Sequence, residues 1–479
     1  MNGLPRPIWP AWIEHSLSAR WIHAGGRRLA RMKRLGFSWF RQSRSQDWLR
    51  LPGRWLSRGR DGLETAARFW RQSLAFKSLA RLEASASVLR QRLGTLSVSW
   101  WWRPVLEAFI VLYLVFLPII GSWPGLIPFL FLYYGLMNPV KSCPAPGIGW
   151  LGILWFGGAV FSAGGLGQSW QRLLQLETWL LLAWATGLAF HVRLWEKVMR
   201  WLAATSPLWM AMGFRQYLSG VPTAAGWLSP DQAQQIPIRV YSLFGNPIYY
   251  ALYLLIVMVL CDRLFRDARK LWQRLAWLAI GCLAALSLYL TYSRAAWLSG
   301  GFLLLLRFRK KLSWRYLAMG GLFLLLLLSL PDFRARIGSL VTLGDSSLRF
   351  RWRIWEGVAR AIPDFWLWGA GPGHFEAVYP WFMGANAEAG HAHQWYLQLW
   401  LEHGLVGLLG MGLLLRERLL RLVRLPELMK TAAVAAFVFL LYGCTESWDV
   451  HPLWGGYFWF LVGLTFAHPI KPRIIQPEE

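Results

Sequence analysis

The chain has 479 residues, of which 56% are hydrophobic, and it carries a formal net charge of +27 and a mean hydropathy of +0.33. Such a composition excludes an ordinary water-solvated globular protein and points to lipid as the solvent. The basic residues fall in loops between apolar runs and in the first hundred positions, so the expected partners of the charge are anionic membrane lipids and not nucleic acid.

In lipid only helices and closed barrels satisfy their own backbone groups, and the long continuous apolar runs favour helices. The expected fold class is an all-α polytopic membrane protein with about twelve transmembrane helices and a long periplasmic loop. The 34 tryptophans suit rings concentrated at headgroup depth and need no cofactor to explain them. Cys143, Cys261, Cys282 and Cys444 are far apart and form no CxxC pair, which indicates neither a disulfide framework nor a zinc site.

Residues 1–103 contain 20 Lys or Arg against 5 Asp or Glu, a bias that predicts a cytoplasmic segment. Within it Leu63, Ala67, Trp70, Leu74, Leu82, Ala86, Leu89 and Leu93 recur at near-helical spacing. Arg68, Arg71, Arg81 and Arg92 supply charge between them, the pattern of a helix lying on the membrane surface. No short apolar stretch with a small-residue cleavage site occurs in the first thirty residues, so the first transmembrane helix is the expected insertion signal.

Apolar runs follow at 104–121, 123–138, 147–164, 173–191, 198–218 and 244–261, then at 275–293, 295–306, 316–331, 403–415, 431–446 and 453–468. Together they define a transmembrane domain over 104–468 and leave 469–479 as a cytoplasmic tail. The loops assigned to the inside carry the basic clusters, from Arg193, Lys197 and Arg200 to Arg416, Arg418, Arg421, Arg424 and Lys430. Two outside segments are long, 219–243 and 332–402, and their Pro, Gly and polar content breaks any spanning helix.

Two arginines break the charge rule. Arg239 ends the first long outer segment, in IPIRVYSLFGNP, and Arg294 stands at the outer end of the seventh run, in LYLTYSRAAWLSG. A guanidinium among apolar residues is costly without an anionic partner, and its planar fork of donors suits phosphate oxygens. Snorkelling to headgroup phosphates or pairing with a helix end is the alternative for each.

In the second outer segment HAHQWYLQLWLEHG places His391, His393 and His403 beside the return to the membrane. Imidazole, with its ordinary pKa near 6.5, can accept a proton at neutral pH, and His393 is the preferred base. A metal pair of His391 and His393 with Glu388 or Glu402, or histidines that only cap and pack, are the other readings. Upstream, Arg349, Arg353 and Arg360 share one helical face and could extend an anion-binding surface or lie on headgroups. GAGPGHF, with Gly371 and Gly373, superficially resembles a dinucleotide loop but follows a tryptophan-rich turn with no evident strand before it. Its glycines suit tight turns and close approach of backbone to a ligand.

In order, RVYSLFGNP, LTYSRAAW, RWRIWEGVARAIPDFWLWGAGPGHF and HAHQWYLQLWLEHGLVGLLG resemble the O-antigen ligase and polymerase superfamily in its ligase-related domain, over about residues 239 to 412. The basic N-terminal segment and the layout also resemble a cyanobacterial subgroup of that superfamily whose members carry a bicarbonate-transporter label. The resemblance implies a lipid-dependent glycosyltransferase (GT-C-like) architecture. It further implies inverting transfer of a glycan from an undecaprenyl-diphosphate donor to a hydroxyl on a lipid or glycan acceptor, with no metal and no cofactor. By motif, Arg239 and Arg294 would bind the donor diphosphate and His393 would orient or deprotonate the acceptor. Arg349, Arg353, His391, Gly371 and Gly373 would support them.

The chain departs from the family in Gln394 and Ile248, where asparagine is common. A polymerase joining repeat units shares this chemistry. A bicarbonate carrier using Arg239 and Arg294 is the alternative of another class, although no inverted repeat or matched pair of broken helices points to alternating access.

Overall fold

The structure, a computed structural model, describes residues 99–120, 127–131, 146–223, 238–308, 329, 334, 346–383, 389–421 and 425–466. The surface helix expected between Leu63 and Leu93, Cys143, most of the runs at 123–138 and 316–331, and the tail 469–479 lie outside these residues. The chain divides into two units, Met1–Trp102 and Arg103–Glu479, and the packing described below is that of the second. The described residues form helices and no strand.

In chain order the helices are α1 (Ser99–Ile120), α2 (Pro146–Phe161), α3 (Gly165–Ala189), α4 (Val192–Leu218), α5 (Pro247–Asp267), α6 (Leu271–Leu290) and α7 (Arg294–Phe308). After them come α8 (Ser346–Phe365), α9 (Phe375–Met383), α10 (Trp395–Arg421), α11 (Glu427–Gly443), a 3-10 turn at Trp448–Val450, and α12 (Pro452–Leu464).

Among the described residues α5, α6 and the Trp395–Arg418 part of α10 are each long and apolar enough to cross a membrane. The runs expected at 173–191 and 198–218 are the contiguous helices α3 and α4, which pass the same test together and turn by 114° at a short break. At that break the His191 ring accepts the Leu194 N–H at 3.2 Å and caps α4, which satisfies one of the donors a helix start leaves open. The start of α5 uses both common devices, Pro247 in the first turn and the Asn246 side chain accepting the Ile248 N–H at 2.8 Å.

Residues Leu453–Leu464 of α12 are buried throughout, between α3 on one side and α11 on the other. Close approach is possible because Gly463 faces the Ala183 backbone, where a β-carbon would stand 2.4 Å from the carbonyl oxygen. In contrast, α6 leaves Leu271, Trp272, Leu275, Leu278, Leu283 and Leu286 exposed, an apolar face that lipid can cover.

The long segment expected as an outer loop is partly helical. Ile354, Val358, Ala361 and Phe365 of α8 close on Phe375 and Tyr379 of α9 and on Ala392 and Leu401, forming a second small core. Helix α10 begins at Trp395, ahead of the apolar run expected from 403. Gln398 and Glu402 hide its first turns from a hydropathy reading, and they are tolerated because the Gln398 amide donates to Glu402 at 2.6 Å.

The same helix breaks at Gly404, whose φ of 64° lies in the left-handed region. The backbone groups freed by the break pair with the segment that carries GAGPG. Ala370 N–H donates to the Leu401 carbonyl at 2.8 Å and Gly371 N–H to that of Glu402 at 3.0 Å. In the other direction Leu405 N–H donates to Trp366 at 2.7 Å and Val406 N–H to Leu367 at 3.2 Å. A β-carbon at Gly404 would stand 2.2 Å from the Leu367 oxygen, and one at Gly369 2.2 Å from the Glu402 oxygen. Glycine is therefore required on both sides of this clasp.

Candidate functional site

Helices α5, α7, α10 and α12 start, and α6 and α11 end, at one end of the bundle. The junction is tied by Tyr442 at the end of α11, whose hydroxyl donates to the Ile248 carbonyl at 3.0 Å. Its oxygen then accepts from the Ser293 hydroxyl, also at 3.0 Å.

Arg239 enters this junction with 6% of its surface exposed. Its Nε–H donates to the Thr291 carbonyl at 3.0 Å and its backbone N–H to Thr223 Oγ1 at 2.6 Å. Burial first, and then repulsion by Arg351 and Arg294 against an opposing contribution from Tyr442, brings its guanidinium down to about 10, still cationic at neutral pH. Arg239 thus feels the charges of both Arg351 and Arg294. With Glu446 as the carboxylate, these four side chains carry a net charge of three minus one, or +2, which favours an anion in the same place.

His393 sits in a left-handed backbone conformation, φ 48°, immediately before α10. Its Nδ1 lies 3.1 Å from Glu446 Oε1, while Arg351 Nη2 donates to Oε2 at 3.1 Å and Arg351 Nη1 to the Thr445 carbonyl at 2.7 Å. Burial alone would raise the Glu446 carboxyl. The His393 hydrogen bond and the charges of Arg351, His393 and His391 outweigh burial and hold the carboxyl at about 2. An ionised carboxylate only accepts, so Nδ1 of His393 carries the hydrogen and Nε2 is left as the basic nitrogen.

His391 is brought down to about 4, first by burial and then by the neighbouring His393, and is neutral at pH 7. Its Nδ1 accepts the His393 backbone N–H at 3.2 Å.

Ser242, Tyr292 and His393 are the non-glycine residues with positive φ, at 53°, 52° and 48°, among the described residues. They lie on the three segments that deliver Arg239, Arg294 and His393. Strain of this kind persists where the surroundings hold it, and it concentrates at functional sites.

Donor atoms of His391, His393 and Glu446 all lie within 4.8 Å of one another, a spacing that a divalent transition metal could bridge. Arg351 already occupies the second oxygen of Glu446, and its guanidinium opposes a cation there. The metal set expected from sequence differs from this one. Glu388 lies outside the described residues, and Glu402 bonds to Gln398.

Of the supporting residues expected from sequence, His391 lies in this cluster and the others fall elsewhere. Arg349, Arg353 and Arg360 are exposed on the side of α8 opposite Ile354, Val358, Ala361 and Phe365, and the inward arginine is Arg351. A β-carbon on Gly371 would meet Ser169, Ser162 and His374, and one on Gly373 would meet Arg172. The close approach these glycines allow is therefore to protein, not to a ligand beside His393. The ring of the buried His403 lies 4.9 Å from that of Trp155.

Sequence reasoning missed Glu446 and Arg351. The available signals were an acidic residue at the end of an apolar run, in GCTESWDV, and one arginine of RFRWR that lies off the common stripe.

A helical membrane protein with a partly buried arginine cluster and a carboxylate-bound histidine at one end of its bundle is the class these features define. Residues 278–412 match the model of the O-antigen ligase family. This stretch is similar to the O-antigen ligase domain, which supports a relation to that superfamily. The match contains Arg294, Arg351, His391 and His393, whereas Arg239 and Glu446 lie outside it. No curated protein matches the chain.

Proposed function

We propose that the protein transfers a glycan from an undecaprenyl-diphosphate donor to a hydroxyl group of a lipid or glycan acceptor on the periplasmic face of the bacterial inner membrane. In this reading the chain crosses the bilayer about twelve times, and residues 1–103 and 469–479 face the cytoplasm. The observation that carries the reading is the Glu446 carboxylate 3.1 Å from His393 Nδ1, beside a cluster of guanidinium groups.

His393 Nε2 takes the acceptor hydroxyl proton as that oxygen attacks the anomeric carbon. The bond from the anomeric carbon to the diphosphate oxygen breaks and its electron pair leaves with the diphosphate. Glu446 stabilises the imidazolium that forms, and Arg239, Arg294 and Arg351 stabilise the departing anion. Inversion follows from a single displacement. The proton and the leaving charge are both accounted for by side chains, so the step asks for no metal or cofactor.

The test is transfer from purified undecaprenyl-diphosphate-linked glycan to candidate acceptors in proteoliposomes. Expected are a fall of about 100- to 10,000-fold for His393→Ala and a rise in donor KM for Arg294→Ala. Turnover unchanged in both variants refutes the assignment. Absence of turnover with every acceptor, together with arginine-dependent bicarbonate uptake, would replace the transferase with a carrier. Product length separates a ligase from a polymerase.

A further inference from the structure

The left-handed conformation of His393 needs a holder, because a residue with a β-carbon does not stay there unaided. The residue that precedes it, Ala392, is gripped through both of its backbone polar groups. On one side the Trp355 indole N–H, from α8, donates to the Ala392 carbonyl at 3.0 Å. On the other, Gln398 Oε1, one turn into α10, accepts the Ala392 N–H at 2.7 Å.

The orientation of the Gln398 amide is fixed by its neighbours. The Ala392 N–H can only donate, so Oε1 must face it, and Nε2 then donates to Glu402 Oε1 at 2.6 Å. Ala392 is fully buried and Gln398 and Glu402 are 3% and 4% exposed, so water does not compete for these bonds. Beyond His393, the Gln394 N–H donates to Ser447 Oγ at 3.1 Å, in the turn that carries Glu446.

We propose that Gln398 and Trp355 are positioning residues which, with Glu402 behind Gln398, hold the Ala392 backbone and so set His393 against Glu446. The hydrogen bonds explain why two polar side chains are buried in the first turns of an otherwise apolar helix. They also assign a role to an indole that would otherwise read as packing. The consequence for turnover rests on the transferase reading, whereas the consequence for the His393–Glu446 hydrogen bond does not.

The test uses the full-length protein in bilayers with 15N-labelled histidine. A downfield Nδ1–H resonance is expected from the His393–Glu446 bond, identified by its loss in His393→Ala. Trp355→Phe keeps an aromatic ring and removes the N–H, while Gln398→Met keeps length and removes both hydrogen bonds. Each variant is expected to shift or broaden that resonance and to lower kcat about 10- to 100-fold, with donor KM unchanged within twofold.

A resonance unaltered in the two variants overturns the proposal whatever happens to turnover, and so does a moved resonance with undiminished kcat in an active enzyme. A moved resonance in a protein that transfers no glycan with any acceptor leaves the clamp standing and removes the transferase.

Discussion

Glu446 binds His393 through one carboxylate oxygen and Arg351 through the other, each at 3.1 Å, so one buried side chain fixes both a base and a cation. Glu446→Gln keeps the shape and loses the charge. Its amide can also donate to Nδ1, which would turn the ring's hydrogen to Nε2 and remove the base. Expected is a fall in kcat of roughly 100-fold or more with the protein still folded. Wild-type turnover in this variant would show that the pair is not used in catalysis.

Two of the depressed groups, His391 and Glu446, make the fold acid-sensitive, each in its own window. His391, at about 4 in the fold against an ordinary value of about 6.5, contributes stability that is complete above about 6.5 and is lost as pH falls towards 4. Glu446, at about 2 against about 4.3 unfolded, contributes stability that is lost between those values as pH falls further. Thermal unfolding in detergent should show Tm falling from pH 6.5 to 4, with a shallower fall in His391→Gln. A slope unchanged by that substitution would contradict the assignment.

Arg351 and Arg353 lie two residues apart on α8 and should behave oppositely. Arg351→Lys replaces a fork that spans the Thr445 carbonyl and Glu446 with a single ammonium, and turnover should fall by about 10-fold or more. Arg353→Gln alters an exposed side chain and should leave turnover within about twofold and stability within about 0.5 kcal/mol. Equal losses from the two would indicate that the exposed stripe, and not Arg351, carries the charge requirement.

Gly404→Ala should damage the fold and not only the chemistry. The added carbon meets the Leu367 carbonyl oxygen at 2.2 Å in a left-handed conformation, a strain of about 1 to 3 kcal/mol before the collision is counted. Thermal stability and monodispersity in detergent measure the effect. Gly412→Ala is the control, since nothing lies within 4 Å of its added carbon.

The helical class, the two pattern-breaking arginines and the histidine beside the membrane return were legible because each is a local anomaly. An arginine among aromatics and aliphatics, or a histidine next to an apolar run, stands out within a dozen residues. Glu446 carries a weaker mark, an acidic residue that ends the run at 431–446, and it meets His393 only through a contact 53 residues long. Arg351 was hidden by a true periodicity. Arg349, Arg353 and Arg360 do share a face, but which face turns inward is decided by Ile354, Val358 and Ala361. The start of α10 was obscured because Gln398 and Glu402 satisfy each other, and hydropathy counts polar atoms without knowing their partners.

The distance in sequence between His393 and its carboxylate also bears on how the site comes into being. Glu446 lies between α11 and α12, so a nascent chain that has inserted everything through α10 holds the arginines and the imidazole with no counter-charge to orient the ring. The centre closes only when the last hairpin arrives, and a protein cut short before residue 446 would be inserted yet inert.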